Sequence, residues 1–180
     1  MAQPAETSPE QIAKIQKGMA QSHQRLAAFG GLTILLMRSA AFRNQKIADL
    51  EWMLEPAVAT GQFAIAEVVA KESGLAVPAA AILWASVSDE IAARVRAKPG
   101  EAIKLQRNEW TGGTNCWLIA SLGDQRAIRS LLMQLNNGQF KDRTLSIVSR
   151  LQDGTFRVET LADMVRAAAA AGGGAPAPGI

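Results

Sequence analysis

Apolar positions recur along this chain with two different periods. From Pro9 to Ala28 they fall at Ile12, Ile15, Met19 and Leu26, the spacing of one helical stripe, with Lys14, Lys17, His23 and Arg25 read as largely off it. Ser8 is placed to cap this helix, with Pro9 at its first position. Gly30-Gly31 is expected to interrupt it, before a second apolar segment from Leu32 to Met37 that continues to Arg38. Lys46 to Leu54 reads as a further helix, stopped by Pro56. The period then changes. Phe63, Ile65, Glu67 and Val69 alternate, Lys71-Glu72-Ser73-Gly74 turns the chain, and Val77 to Val87 is a nearly all-apolar run containing Trp84; together these predict an antiparallel strand pair. Ser88 caps a helix through Ile91 and Val95 that ends at Pro99-Gly100. Trp117 to Leu122 predicts a short buried strand. Gly123-Asp124 opens an amphipathic helix carrying Ile128, Leu131, Leu132 and Leu135, stopped by Asn136-Asn137-Gly138. Leu145, Ile147 and Val148, then Phe156 and Val158, flank Asp153-Gly154, a hairpin signal, and Leu161 to Arg166 is a last short helix.

Helices come first, then strands, then a mixture. That order predicts an α+β domain with an antiparallel-rich sheet rather than a doubly wound fold. The expected organisation is a single domain over residues 9–166, with 9–28 as an additional N-terminal helix. A flexible polar leader at 1–8 and a disordered Ala/Gly/Pro tail at 167–180 flank it.

Composition narrows the chemistry. The chain has 180 residues, 48% of them hydrophobic, enough for a real core. Net charge is only +3, with no dense Lys/Arg block and no Tyr, which argues against a nucleic-acid role. Cys116 and His23 are the only residues of their kinds, which excludes an internal disulfide and any multi-thiolate zinc site. The N-terminus lacks a signal-peptide pattern, and the longest apolar stretch, Leu26 to Met37, is short of the roughly 20 residues that cross a bilayer. A cytoplasmic protein without a membrane span is expected.

Local features have plain readings. His23 lies among polar residues as a solvated helix position, and Cys116 opens an apolar strand as a buried thiol. Asp89-Glu90 occupy a first helical turn, where the helix dipole favours carboxylates. Trp110-Thr111-Gly112-Gly113 reads as a turn whose glycines could let a ligand approach the backbone. Arg38, Arg43 and Lys46 flank a helix junction and could receive an acidic partner such as a carrier protein.

Three stretches taken in order carry a resemblance. They are Phe29-Gly30 through Met37-Arg38-Ser39-Ala40-Ala41-Phe42-Arg43-Asn44 to Leu54-Glu55-Pro56; Leu83-Trp84-Ala85-Ser86-Val87-Ser88 with Glu90-Ile91; and Glu109-Trp110-Thr111-Gly112-Gly113 followed by Ile119-Ala120-Ser121-Leu122-Gly123-Asp124. Over residues 29–160 the chain resembles the toxin-activating lysine acyltransferases that fatty-acylate RTX toxins. The resemblance implies a fold similar to GCN5-related N-acyltransferases and transfer of a fatty acyl group from acyl carrier protein to an internal lysine of a secreted protein. It also implies a cytoplasmic location, often a homodimer, and no bound cofactor or metal beyond that carrier-linked donor. It further implies a catalytic His just before the Arg43-Asn44 pair, where Phe42 stands here. The family's Asn falls on Met53 and its Asp on Trp117, so three expected polar positions are apolar. Cys116 and Asp124 are then the remaining catalytic candidates, and Arg43, Asn44, Trp84 and Trp110 the expected cleft. Two functional readings follow: an acyltransferase working through other groups, or an inactive module that binds an acyl chain, a carrier or a partner. A third reading, an unrelated protein, would lack a central splayed antiparallel sheet.

Overall fold

The computed structural model describes residues 8–170. Its core element is β2 (Ala76–Val87), paired antiparallel to β1 (Phe63–Val69) on one side and to β3 (Asn115–Gly123) on the other. β4 (Leu145–Arg150) then pairs parallel to β3 and antiparallel to β5 (Phe156–Thr160), so the sheet order is β1-β2-β3-β4-β5. The parallel ladder is short. Only Cys116 and Trp117 of β3 find partners, Leu145 and Ser146, so the rest of the two strands part company. The expected α+β fold with a mostly antiparallel sheet flanked by helices is what the chain adopts.

Each face of the sheet has its own core, because side chains alternate along a strand. Ala81, Leu83 and Ala85 of β2 join Leu32, Leu35 and Leu36 of α1 (Pro9–Arg38) and Met53, Leu54 and Ala57 of α2 (Leu50–Thr60). Ile91 and Val95 of α3 (Asp89–Ala97) pack on the same side. Ala80, Ile82 and Trp84 point the other way. They meet Ile128, Leu131, Leu132 and Leu135 of α4 (Gln125–Asn137) and Leu161 and Met164 of α5 (Leu161–Ala170). Trp84 stands edge-on to Phe140, with ring centroids 5.4 Å apart.

Two expected helix breaks do not occur. α1 runs unbroken through Gly30-Gly31. Two helical glycines cost about 1 kcal/mol each, but Leu32, Leu35 and Leu36 are buried immediately after them, and burial of each is worth about 1.5–3 kcal/mol. A Cβ at Gly31 would be 3.7 Å from the Ile65 side chain, an ordinary contact distance, so this position faces the sheet without requiring glycine. Likewise α2 continues past Pro56 to Thr60, ending at Gly61 with φ +69°. Pro56 is itself buried with Met53, Leu54, Ala57 and Val58, and packing outweighs the lost hydrogen bond.

Local signals hold elsewhere. Ser8 caps α1 in a reciprocal box with Gln11, and Asp124 caps α4 by accepting the amides of Arg126 and Ala127 at 2.9 and 3.0 Å. In the β4–β5 turn, Asp153 accepts the Thr155 hydroxyl at 2.6 Å and its amide at 2.9 Å, which holds its carboxyl below the usual carboxylate range. α5 extends to Ala170, so residues 167–170, expected in the tail, are helical. Residues 1–7 and 171–180 lie outside the described residues.

The β2–β3 ladder contains an irregularity that no periodicity announced. Leu83 faces Ala120, but the next residue, Trp84, faces Leu118, leaving Ile119 as the extra residue of a bulge. Alternation along β3 therefore flips there. Cys116 and Leu118 belong to the α4 side, and after the bulge Ala120 and Leu122 belong to the α1 side.

β3 ends at Gly123, where φ is +102° and a Cβ would stand 2.1 Å from the carbonyl oxygen of Ala79. The next amide, Asp124, donates to that same oxygen at 2.8 Å. Gly123→Ala should lower unfolding stability by about 2–4 kcal/mol, from left-handed strain plus a clash with backbone. Gly74 also has positive φ, but nothing lies within 4 Å of its Cβ position, so Gly74→Ala should cost only about 1–2 kcal/mol. Denaturant titration of the two variants checks the difference.

Candidate functional site

Where α1 ends, the chain turns through Ser39–Phe42 over the seam between β2 and α4. A groove of about 670 Å³ opens there. Its walls are mostly apolar: Leu35 of α1, Ala40, Ala41 and Phe42 of the turn, Val68 and Val77–Ala79 of the β1–β2 hairpin, and Ile128 of α4. Polar groups enter from Arg38, Ser39, Ser121, Asp124 and Gln125. The bulge at Ile119 puts Ser121 on this side, and Gly123 allows β3 to end flush against Ala79.

The groove brings together Phe42 and Asp124, two residues singled out from sequence. Asp124 is engaged as the α4 cap through its Oδ1. Arg43 and Asn44 follow Phe42 in an exposed turn, with the Arg43 amide donating to Ser39 at 2.9 Å. The other expected positions are elsewhere. Met53 and Trp117 are buried in the α1-side core, at 1% and 0% exposure. Trp110 is in that same core and Trp84 in the one opposite, so neither is a cleft residue. They are large apolar side chains at inward positions, and the sheet lies between them. Gly113 serves packing too: a Cβ on it would be 2.3 Å from the Val87 oxygen, so backbone, not ligand, makes the close approach.

His23 is exposed on α1. At 1.5 Å per residue it lies roughly 18 Å along the helix from Leu35 at the groove, too far for one side chain and a bridging water.

Cys116 occupies a second location. It is the second residue of β3, and Gly123 ends that strand, so about 23 Å of strand separates the two. The thiol is 1% exposed and accepts a hydrogen bond from Arg143 Nη2 at 2.9 Å. An open groove of about 700 Å³ adjoins it, lined by Arg96, Arg143, Thr114, Thr144 and Ser146. Arg96 lies over the Trp117 ring, 5.5 Å from its centroid. Among the described residues neither arginine has a carboxylate partner. Sequence reading missed Arg143 because it stands 27 positions from Cys116. Only the parallel pairing of Cys116 with Leu145 brings it there.

Behind Cys116 runs a buried polar chain. Its sulfur is 3.7 Å from the Ser86 hydroxyl, which donates to Gln62 Oε1 at 2.8 Å. Gln62 Nε2 donates in turn to the Trp110 carbonyl at 2.8 Å. Gln62→Leu should destabilise the protein by about 2–3 kcal/mol, because the Ser86 hydroxyl loses its strong acceptor and the Trp110 carbonyl its side-chain donor. Thermal and denaturant unfolding measure this.

Among the described residues no helix is long and apolar enough to cross a membrane, and no three His, Cys, Asp or Glu side chains gather as a metal site. No curated protein matches the chain. Residues 21–162 match the RTX toxin acyltransferase family. With that match covering most of the chain and a sheet-and-helix arrangement of the GCN5-related acyltransferase kind, this protein belongs to the RTX toxin acyltransferase family.

Proposed function

We propose that the protein binds a fatty acyl chain, presented by acyl carrier protein, in the groove beneath Phe42, as a binding member of its family rather than through His-assisted transfer. The observation that carries this reading is the groove wall. A phenyl ring stands where the family resemblance expects an imidazole, among Leu35, Val68, Val77, Pro78 and Ile128. Phenyl carbon has no lone pair with which to take a proton. The wall suits an acyl chain, each buried methylene of which contributes about 0.8 kcal/mol. Met53 and Trp117 are packing residues, Asp124 is engaged as a cap, and His23 is out of reach. Arg38, Arg43 and Lys46 are exposed around the turn that bears Phe42, and among the described residues none is in an ion pair. They offer an acidic carrier a basic rim. The reading goes with a cytoplasmic location and with a secreted protein as the family's kind of acyl acceptor.

A second reading rests on Arg143. Its Nη2 lies 2.9 Å from the Cys116 sulfur at the edge of the second groove. Cys116 would then attack the carrier thioester. The new S-acyl bond forms as the carrier's C–S bond breaks, and the carrier thiol takes up the proton that left Cys116. An incoming lysine amine then accepts the acyl group and returns a proton to the Cys116 sulfur.

Acyl carrier protein loaded with a labelled fatty chain, incubated with this protein and a lysine-bearing protein substrate, tests both. Wild type should bind the carrier without transferring label above a no-protein control. Arg38→Glu with Arg43→Glu should weaken carrier binding about tenfold or more, roughly 1.4 kcal/mol. Transfer by wild type would overturn the binding reading. Covalent label that disappears with Cys116→Ala would support the second reading, and transfer unaffected by that change would remove it. Phe42→His serves as the comparison with the family's usual residue.

A further inference from the structure

The groove of about 700 Å³ at the start of β3 and β4 is lined by two arginines, Arg96 and Arg143, and by the hydroxyl residues Thr114, Thr144 and Ser146. The parallel ladder there is only two pairs long, Cys116 with Leu145 and Trp117 with Ser146, so both strands begin at the groove. Each arginine comes from a different element and meets a different face of the sheet. Arg96, in the last turn of α3, lies over the ring of Trp117, which belongs to the α1-side core. Arg143, in the loop after α4, reaches Cys116, which belongs to the α4-side core. The two guanidinium groups therefore bracket the open end of the ladder.

The donors at this place are held but not satisfied. Stacking on Trp117 orients the Arg96 fork without engaging any of its N–H groups. Arg143 directs Nη2 at the Cys116 sulfur at 2.9 Å. A thiol sulfur is a weak acceptor, so that contact leaves the guanidinium charge uncompensated. Among the described residues the hydroxyls of Thr114, Thr144 and Ser146 take no part in a side-chain hydrogen bond. No carboxylate lines the groove. Asp89 is taken up by the Asn115 amide at 2.8 Å. Asp142, next to Arg143 in the chain, is in no ion pair among the described residues.

We propose that this groove binds a phosphate group, either as the free ion or as the end of a small phosphate monoester. Two cations without a lining carboxylate match a dianion, and each guanidinium fork can pair two N–H groups with two phosphate oxygens. The three hydroxyls can donate to the oxygens that remain. A carboxylate has one charge and two oxygens, so it would satisfy one fork and leave the other. An apolar chain would strip water from both arginines and return no hydrogen bond. The place lies about 23 Å along β3 from the groove beneath Phe42. It uses the arginines and hydroxyls rather than the thiol, so it rests on neither functional reading above.

Isothermal titration calorimetry of the full chain with inorganic phosphate, at about pH 7.5 and in about 0.15 M chloride, tests the proposal. Wild type should bind one phosphate with a dissociation constant of about 1 mM or tighter. Arg96→Gln and Arg143→Gln should each weaken binding about tenfold or more, with circular dichroism unchanged. Arg143→Lys, which keeps the charge and loses the fork, should weaken it about threefold or more. Thr144→Val with Ser146→Ala leaves both arginines in place and should also weaken it about threefold. Arg25→Gln, exposed on α1, should change nothing. A second titration, with phenyl phosphate, separates the sources. Binding about tenfold tighter than inorganic phosphate assigns the ester, and equal or weaker binding assigns the free ion. No saturable heat up to about 10 mM phosphate, binding indifferent to both arginine-to-glutamine changes, or acetate bound as tightly as phosphate overturns the proposal.

Discussion

The rest of the molecule depends on the burial of β2 on both of its faces. Ala80 to Ala85 is apolar at every position and essentially inaccessible to water. Each face therefore requires a cover, and each core is that cover. The small residues Ala80, Ala81 and Ala85 let helices approach, while Ile82, Leu83 and Trp84 fill the space between. The antiparallel partners β1 and β3 satisfy the backbone of the same strand, as the removal of its amides from water demands.

The groove follows from how β2 and its neighbours depart from regular pairing. Ala79 is an extra residue between the pairs Ala66–Ala80 and Glu67–Pro78, and its carbonyl is the one that receives the Asp124 amide. Ile119 is the corresponding extra residue on β3. Two bulges on adjacent pairings re-aim the strand ends, and the turn after α1 closes over them. The space beneath Phe42 is a product of irregular backbone, which is common next to functional sites.

Membership of a family assigns a fold, while chemistry belongs to particular side chains. Here the side chains divide between two places at opposite ends of β3. One is apolar, with its carboxylate committed to a helix cap. The other is basic and surrounds a buried thiol. No single side chain bridges the strand length between them, so any activity must draw on one place or the other, not on both at once.

Much of the fold was legible in the sequence because local physics dominates there. Ser8, Ser88 and Asp124 start helices, Asp153-Gly154 turns a hairpin, and period-two and helical patterns locate most strands and helices. Where burial competed with local preference, burial won, which is why Gly30-Gly31 and Pro56 did not end helices. The expectation that Phe42 stands in place of an imidazole came from its neighbours Arg43-Asn44. The site was less legible. Trp84 and Trp110 carried no mark of which face of the sheet they would take, and Arg143 carried no mark of Cys116. Those facts depend on strand register and on the parallel crossover through α4, which join residues far apart in the chain. By itself the sequence determined the elements and the lack of a second imidazole or thiol. Only the tertiary structure decided which side chains share a cavity, because register and bulges, not local propensity, set where a strand's residues point.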